Sequence, residues 1–363
     1  MEQPVNRRIA LFATAIATLI SWDAPAVARP SLADFERDLE ALRVSLDIPG
    51  MSAVIAERGK IIWSKGFGLS DLERSIPASP ATIYHLASVT KTYAATVVLQ
   101  LVEAGKLDLN QPVTDFGVSL ETIGPGARVA DLLSHTASGI PGTVFHYDGN
   151  AYGRLTAVVE KVTGRPFSTE LTNRIIRTLD LKQTGPNPRR IPGTRPPGVA
   201  PDRTFEQSVL DYAEIEGPLA MGYRRSETGS MQPAPHLTYL FAAAGLVASA
   251  PDVARFSIAL DQGKLLKPST LARAWTPGAL RSGSKSPYGL GWFVQPYQGS
   301  QIVWHFGQGL ESSSLLLKIP ARQLTLVILA NSEGLSRDLQ LGDHGDVTKS
   351  PAAKLFLSWA GQR

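Results

Sequence analysis

Ser88 precedes Lys91 by three residues in Ile83-Tyr-His-Leu-Ala-Ser-Val-Thr-Lys-Thr-Tyr-Ala-Ala-Thr. On a helix that spacing puts both side chains on one face, one turn apart. A serine hydroxyl is a poor nucleophile until a base removes its proton. A lysine in a partly dry site can stay neutral and serve as that base. The spacing alone is weak evidence, because it recurs at Ser282 and Lys285 within Arg281-Ser-Gly-Ser-Lys-Ser-Pro, which reads as an exposed loop. The first copy leads instead into a long apolar segment. Residues 90–104 read as a helix whose Ala94, Ala95, Val97, Val98, Leu101 and Val102 cover much of its circumference, with Gly105 as C-cap. Ser88 falls where a loop enters this buried helix, and the free N–H groups and positive dipole end there favour developing negative charge. A nucleophile at that point can place its own backbone N–H in an oxyanion hole. A plain N-cap role accounts equally well for a serine in this position.

The elements that must position this pair come from both ends of the chain. Residues 31–46 read as an amphipathic helix with Leu32, Phe35, Leu39 and Leu42 at helical spacing. Residues 51–56 and 60–67 read as strands around the turn Glu57-Arg58-Gly59. Two strands make no stable sheet alone. Three further runs rich in Ile, Val and Leu supply the partners: 301–306, 312–319 and 324–330. Residues 351–360 read as a closing helix. The fold class is therefore α/β in the α+β sense: an antiparallel sheet of about five strands, flanked by the N- and C-terminal helices, plus a mostly helical part. Helices are predicted at 151–162, 168–179 and 250–260. The predicted division is a sheet subdomain of residues 29–75 and 290–363, and a helical subdomain of residues 76–289. The latter carries an irregular Pro/Gly/Arg-rich excursion at 185–235, a candidate border of a substrate cleft.

The chain has 363 residues, no cysteine and a formal net charge of +4. Disulfides and thiolate metal sites are excluded. The positive charge is scattered. Its densest cluster, Arg189, Arg190 and Arg195, lies among prolines and reads as a solvated loop, which speaks against a nucleic-acid partner. Residues 1–28 read as a signal peptide: Arg7 and Arg8 open it, 9–20 form a short apolar run, and Ala26-Val27-Ala28 is a small-x-small cleavage site. The run is too short for a bilayer, which takes about 20 residues, so no stable membrane span is expected. The expected location is periplasmic or secreted.

Several motifs occur together and in order. Besides Leu-Ala-Ser-Val-Thr-Lys they are Asp131-Leu-Leu-Ser-His-Thr-Ala-Ser-Gly-Ile-Pro, Ala243-Ala-Gly-Leu-Val-Ala-Ser-Ala-Pro-Asp-Val-Ala-Arg-Phe, Tyr288-Gly-Leu-Gly-Trp and Trp304-His-Phe-Gly-Gln-Gly. From about Leu32 onward the chain resembles the serine β-lactamase and penicillin-binding D,D-peptidase family, which includes D-amino-acid amidases and related esterases. The resemblance implies a sheet domain and a helical domain with the site between them. It also implies acyl-enzyme chemistry without a cofactor or metal, in which Ser88 attacks a carbonyl and Lys91 helps deprotonate it. The implied oxyanion hole is the backbone N–H of Ser88 with one on the strand near Gln308.

Two family motifs depart from their usual form. In Phe145-His-Tyr-Asp-Gly-Asn-Ala-Tyr-Gly, Tyr147 matches the family's proton-transfer tyrosine, but Gly149 stands where asparagine is usual and Asn150 is next to it. A small backbone shift would let Asn150 serve; without it, rate or specificity suffers. The strand motif reads His305-Phe306-Gly307, where the family has Lys-Thr-Gly or His-x-Gly. Histidine is mostly neutral at pH 7 and so holds a substrate carboxylate less well than lysine does. Gly307 would let substrate backbone approach the strand. Tyr152 starts a helix and reads as packing, and His135 reads as structural. Asp343-His344-Gly-Asp346 reads as a tail loop, not a metal site. No Gly-x-Ser-x-Gly elbow and no phosphate or dinucleotide loop is present. The expectation is an exported serine hydrolase of the D,D-peptidase, amidase or esterase type. It would act on a small-molecule or short-peptide amide, ester or β-lactam, with weak or no β-lactamase activity. The alternative is a penicillin-binding sensor that acylates without turnover, or a degenerate site.

Overall fold

The computed structural model describes residues 1, 31–186, 218–234 and 240–361. The predicted signal peptide, the Arg189, Arg190 and Arg195 cluster and most of the 185–235 excursion lie outside the described residues. Twelve strands succeed one another along the described residues. They are β1 (Gly50–Glu57), β2 (Lys60–Asp71), β3 (Ile76–Pro77), β4 (Ile83–His85), β5 (Thr184–Pro186), β6 (Gly222–Arg225), β7 (Met231–Ala234), β8 (Leu246–Ser249), β9 (Phe293–Tyr297), β10 (Ser300–Gln308), β11 (Ser313–Ile319) and β12 (Leu324–Ala330).

The main sheet has seven strands in the order β3-β2-β1-β12-β11-β10-β9. Its pairings are antiparallel, and the two chain ends meet at its centre, where Met51 to Glu57 pair with Ala330 to Leu324. The five strands expected from the sequence are β1, β2, β10, β11 and β12. The two additional ones are edges: β3 is two residues long and contains Pro77, and β9 contains Pro296. Proline lacks the ladder donor and is tolerated only at such edges, which is why neither reads as a strand.

The central strands read as largely apolar runs because both sheet faces are covered. Val54, Ala56, Val303, Leu316, Val327 and Leu329 point into one core with the helical part. Their neighbours Ala53, Ile55, Leu315, Leu317, Leu326 and Ile328 point into the other, under the Leu32–Ser45 and Pro351–Gly361 helices. This is the period of two expected of a strand. The first of these helices starts with a capping box: the Ser31 hydroxyl accepts from the Asp34 N–H, and the Asp34 carboxylate accepts from the Ser31 N–H. Such a cap contributes about 1 kcal/mol.

The Thr90–Glu103 helix runs through the middle of the helical part, buried at every position from Thr90 to Leu99. A three-stranded sheet, β4-β8-β5, leads the chain into it. Strands of three and four residues carry too little periodicity to be seen in sequence, so this sheet lies outside the sequence expectation. It is tied to the main sheet by the Tyr84 and Ser52 hydroxyls, 2.9 Å apart. Among the described residues, no helix is long and apolar enough to cross a membrane.

Candidate active site

Ser88 lies in a turn of 3-10 helix, Ala87–Val89, directly before the buried Thr90–Glu103 helix. The turn is held from three sides. The Leu86 N–H donates to the Leu246 carbonyl (2.9 Å), Ser314 Oγ donates to the Leu86 carbonyl (2.8 Å), and the Ala87 N–H donates to His85 Nδ1 (3.2 Å). Ala87 has φ +45°, a left-handed conformation that costs a non-glycine residue on the order of 1 kcal/mol. Surrounding contacts therefore impose the bend that presents Ser88.

Gly307 on β10 is part of this support. A Cβ there would overlap the Leu86 carbonyl oxygen and Ser314 Oγ, and would stand 3.0 Å from Ala87 Cβ. The close approach that needs glycine is thus between the sheet and the nucleophile's own turn. The motif assigns that approach to substrate backbone, and the packing corrects this.

Lys91 is buried, and its Nζ is 2.8 Å from Ser88 Oγ and 3.2 Å from the Ala243 carbonyl oxygen, to which it donates. Among the described residues no carboxylate pairs with it. Burial pushes its pKa down from 10.5 to about 7, while the Asp148 charge nearby pulls weakly the other way. A large fraction of Lys91 is therefore neutral at pH 7, with a lone pair free to take the serine proton. Its Nζ also lies over the Tyr147 ring, 5.1 Å from the centroid. Tyr152, a packing residue by its sequence, has its ring 5.6 Å from Nζ, and its hydroxyl donates to the Lys91 carbonyl at 2.9 Å. The second Ser-x-x-Lys copy, Ser282 and Lys285, is fully exposed, as its composition predicts.

Tyr147 lines the same cleft as Ser88. Burial raises its pKa, and the nearby Ser88 hydroxyl offsets this slightly, so it is a neutral phenol at ordinary pH. Its hydroxyl is buried and has no formed hydrogen bond among the described residues. The ring is wedged among Phe293, Phe306 and His135, and Gly342 packs flat against it.

A cleft of about 690 Å³ opens over Ser88 and Tyr147. Phe306, Gln308, Gly309 and Leu310 line it together with Glu333, Asp338, Gln340, Leu341, Gly342 and Asp343. Ser88, Lys91, Tyr147 and Gln308 therefore come together as the sequence predicts. Asp343 and its neighbours, a tail loop by sequence, instead form cleft wall, while Asp346 is occupied by Gln295 and Thr348.

The Beta-lactamase family model matches residues 34–346. The chain belongs to the beta-lactamase family. It is 27% identical over 272 residues to PbpX, a putative penicillin-binding protein from Bacillus subtilis, covering 68% of this chain and 62% of that one. A penicillin-binding protein homologue from Pyrococcus abyssi has the same fold, with TM-score 0.71 and 22% identity over 84% of this chain and 74% of that one. So does a D-stereospecific amidohydrolase from Streptomyces, with TM-score 0.64 and 24% identity over 88% of this chain and 97% of that one. The chain spans about three fifths of the length of the curated relatives it matches: 62%, 60% and 61%.

The two departures from the beta-lactamase pattern now have places. A Cβ on Gly149 would stand 3.9 Å from Lys91 Nζ, so position 149, and not 150, faces the base. Asn150 is exposed, in the first turn of the Gly149–Gly153 helix, and does not line the cleft. The Asp148 carboxylate caps that helix, accepting from the Asn150 and Ala151 N–H groups. His305, a substrate-binding residue by its motif, is 0% exposed. Its Nδ1 donates to the Phe306 carbonyl at 2.7 Å, which leaves Nε2 to accept from the Tyr288 hydroxyl at 2.9 Å. Burial lowers its pKa to about 3, so it is a neutral core residue. Phe306, one position on, reaches the cleft because a strand alternates its faces.

Sequence reasoning misses the Ala243 carbonyl, since a backbone acceptor 152 residues away has no local signature. It also misses the acidic residues Asp338 and Asp343 of the cleft, beside a Glu333 that is paired with Arg337. The motif around Tyr288 proves to be packing: a Cβ on Gly291, at φ +85°, would overlap Ala95 on the helix that carries Lys91.

Proposed function

We propose that the protein is an exported serine hydrolase that cleaves an amide or ester through an acyl-Ser88 intermediate. The observation that carries this is the 2.8 Å contact between Ser88 Oγ and a buried Lys91 whose pKa is brought to about 7. In this reading neutral Lys91 takes the Ser88 proton as Oγ attacks the carbonyl carbon. The oxyanion is received by backbone N–H groups of Ser88 and of Gln308, which line one cleft. The leaving amine or alkoxide takes a proton from Tyr147 or protonated Lys91, and water then releases the acyl group by the reverse steps. Residues 1–28 support export.

The substrate class is read from the cleft wall. Asp338 and Asp343 have no ion pair among the described residues, and no lysine or arginine is among the described residues that line the cleft, although Arg337 pairs with Glu333 there. A cleft of that sign repels a carboxylate and accumulates a cation. This supports the amidase and esterase readings over efficient β-lactam hydrolysis. The exposed Leu310 at its rim offers an apolar surface to a substrate side chain.

The second reading is acylation without turnover. It is favoured by Gly149, which leaves Lys91 without the side-chain amide of the family pattern. A panel of D-amino-acid amides, short-chain esters, D-Ala-D-Ala peptides and a chromogenic cephalosporin, run with wild type and Ser88→Ala, tests both. Turnover of an amide or ester that vanishes in Ser88→Ala supports the hydrolase. A long-lived β-lactam adduct without turnover of any panel member supports the sensor.

A further inference from the structure

His135 is buried beside the reacting groups yet touches neither the cleft nor Ser88. Its backbone is left-handed, φ +56°, a conformation uncommon for a non-glycine residue. Its Nδ1 accepts the Asp148 N–H at 3.1 Å, which puts the ring proton on Nε2. Nε2 is buried and has no hydrogen-bond partner among the described residues. A buried unsatisfied donor destabilises the fold, and the left-handed backbone of a non-glycine residue adds strain. A leucine or methionine filling the same space would avoid the first cost.

What the imidazole does in return is visible in its contacts. The His135 carbonyl accepts the His146 N–H at 2.9 Å and its ring accepts the Asp148 N–H, so one residue clamps the turn on both sides of Tyr147. The ring itself lies 4.4 Å from the Tyr147 ring and 5.0 Å from the Tyr152 ring, with Tyr288 edge-on at 4.9 Å. Among the described residues, Tyr147 and Tyr152 are the rings beside Lys91 Nζ. The groups that feel His135 electrostatically are Lys91, His305 and His146, and burial keeps it neutral.

We infer that His135 is the positioning residue of the site: its ring is the wedge that holds Tyr147 and Tyr152 against Lys91 and keeps water from the amine. This rests on the acyl-Ser88 reading for its purpose, but not for its test. His135→Asn suits the left-handed backbone and keeps an acceptor near Nδ1, while removing the ring. In this variant, ¹³C NMR of labelled lysine should show the Lys91 pKa raised by about one unit or more from the wild-type value. With an active substrate, kcat should fall about tenfold, KM should change less than about threefold, and the acid limb of the rate profile should move by the same amount as the pKa. A folded His135→Asn protein with an unmoved Lys91 pKa overturns the inference. Should that variant not fold, ¹⁵N NMR of wild-type histidines decides it: His135 must hold its proton on Nε2 and stay neutral well below the ordinary histidine range, as its burial dictates. Ionisation of His135 near its ordinary value, about 6.5, would contradict the sealed wedge. If wild type shows no Ser88-dependent turnover, the functional reading fails, while the pKa measurement still stands.

Discussion

Lys91 Nζ is 2.8 Å from Ser88 Oγ, and the only other hydrogen-bond partner of that amine among the described residues is the Ala243 carbonyl oxygen. An ammonium in that environment loses its water shell and gains no counter-ion, so the neutral amine is favoured. The rate of acylation should therefore rise with pH through about 7, the value to which burial brings Lys91. A kcat/KM profile on a neutral ester measures this. Lys91→Arg, which cannot deprotonate, should lose at least about 10³-fold.

The same shift links Lys91 to stability. Its folded pKa of about 7 lies below the ordinary 10.5, so between those values the unfolded chain holds a proton that the folded chain lacks. Stability from this group thus rises with pH across that window, and the burial cost is fully present below about pH 7. Lys91→Met should raise Tm more at about pH 6 than at about pH 10, as thermal melts at both pH values will show. An equal change at both would mean that Lys91 is not shifted.

Tyr147→Phe separates chemistry from packing. The hydroxyl has no formed hydrogen bond among the described residues and the ring does the packing, so Tm should hold or rise slightly. Loss of the proton carrier should lower kcat by about 10²–10⁴.

Gly307→Ala should strike the nucleophile from behind. Its new methyl would press on the Leu86 carbonyl and Ser314 Oγ, costing about 1–3 kcal/mol and moving the Ser88 turn. Both Tm and kcat should fall, whereas a subsite for substrate backbone would show mainly a KM effect.

How far the sequence carries differs from residue to residue. Ser88, Lys91 and Tyr147 are legible because each lies in a short motif that fixes its local geometry. The central strands are legible because burial on both faces leaves them largely apolar. His305 is legible as a motif residue but not as a core residue: a strand gives alternate residues to opposite faces, and which face meets the cleft depends on register. Gly307 is legible as a close approach, but its neighbour, Leu86, is supplied by another part of the chain. Asp338 and Asp343 are illegible because only the tertiary fold brings residues 338–343 over Ser88.

The acidic residues of the cleft make a prediction of their own. At low salt, substrates bearing an amine should outrun matched carboxylates in kcat/KM, and about 0.5 M salt should shrink the gap as screening takes hold. Asp338→Asn with Asp343→Asn should reduce the preference while leaving the Ser88–Lys91 contact in place. A preference indifferent to both changes would locate charge selection elsewhere.

Whether Ser88 is the nucleophile is decided by mass spectrometry of the intact protein after treatment with a fluorophosphonate. The wild type should gain one adduct mass, mapped by peptide digestion to Ser88, and folded Ser88→Ala should gain none. An adduct retained by Ser88→Ala, or no adduct on the folded wild type, would contradict that role for Ser88.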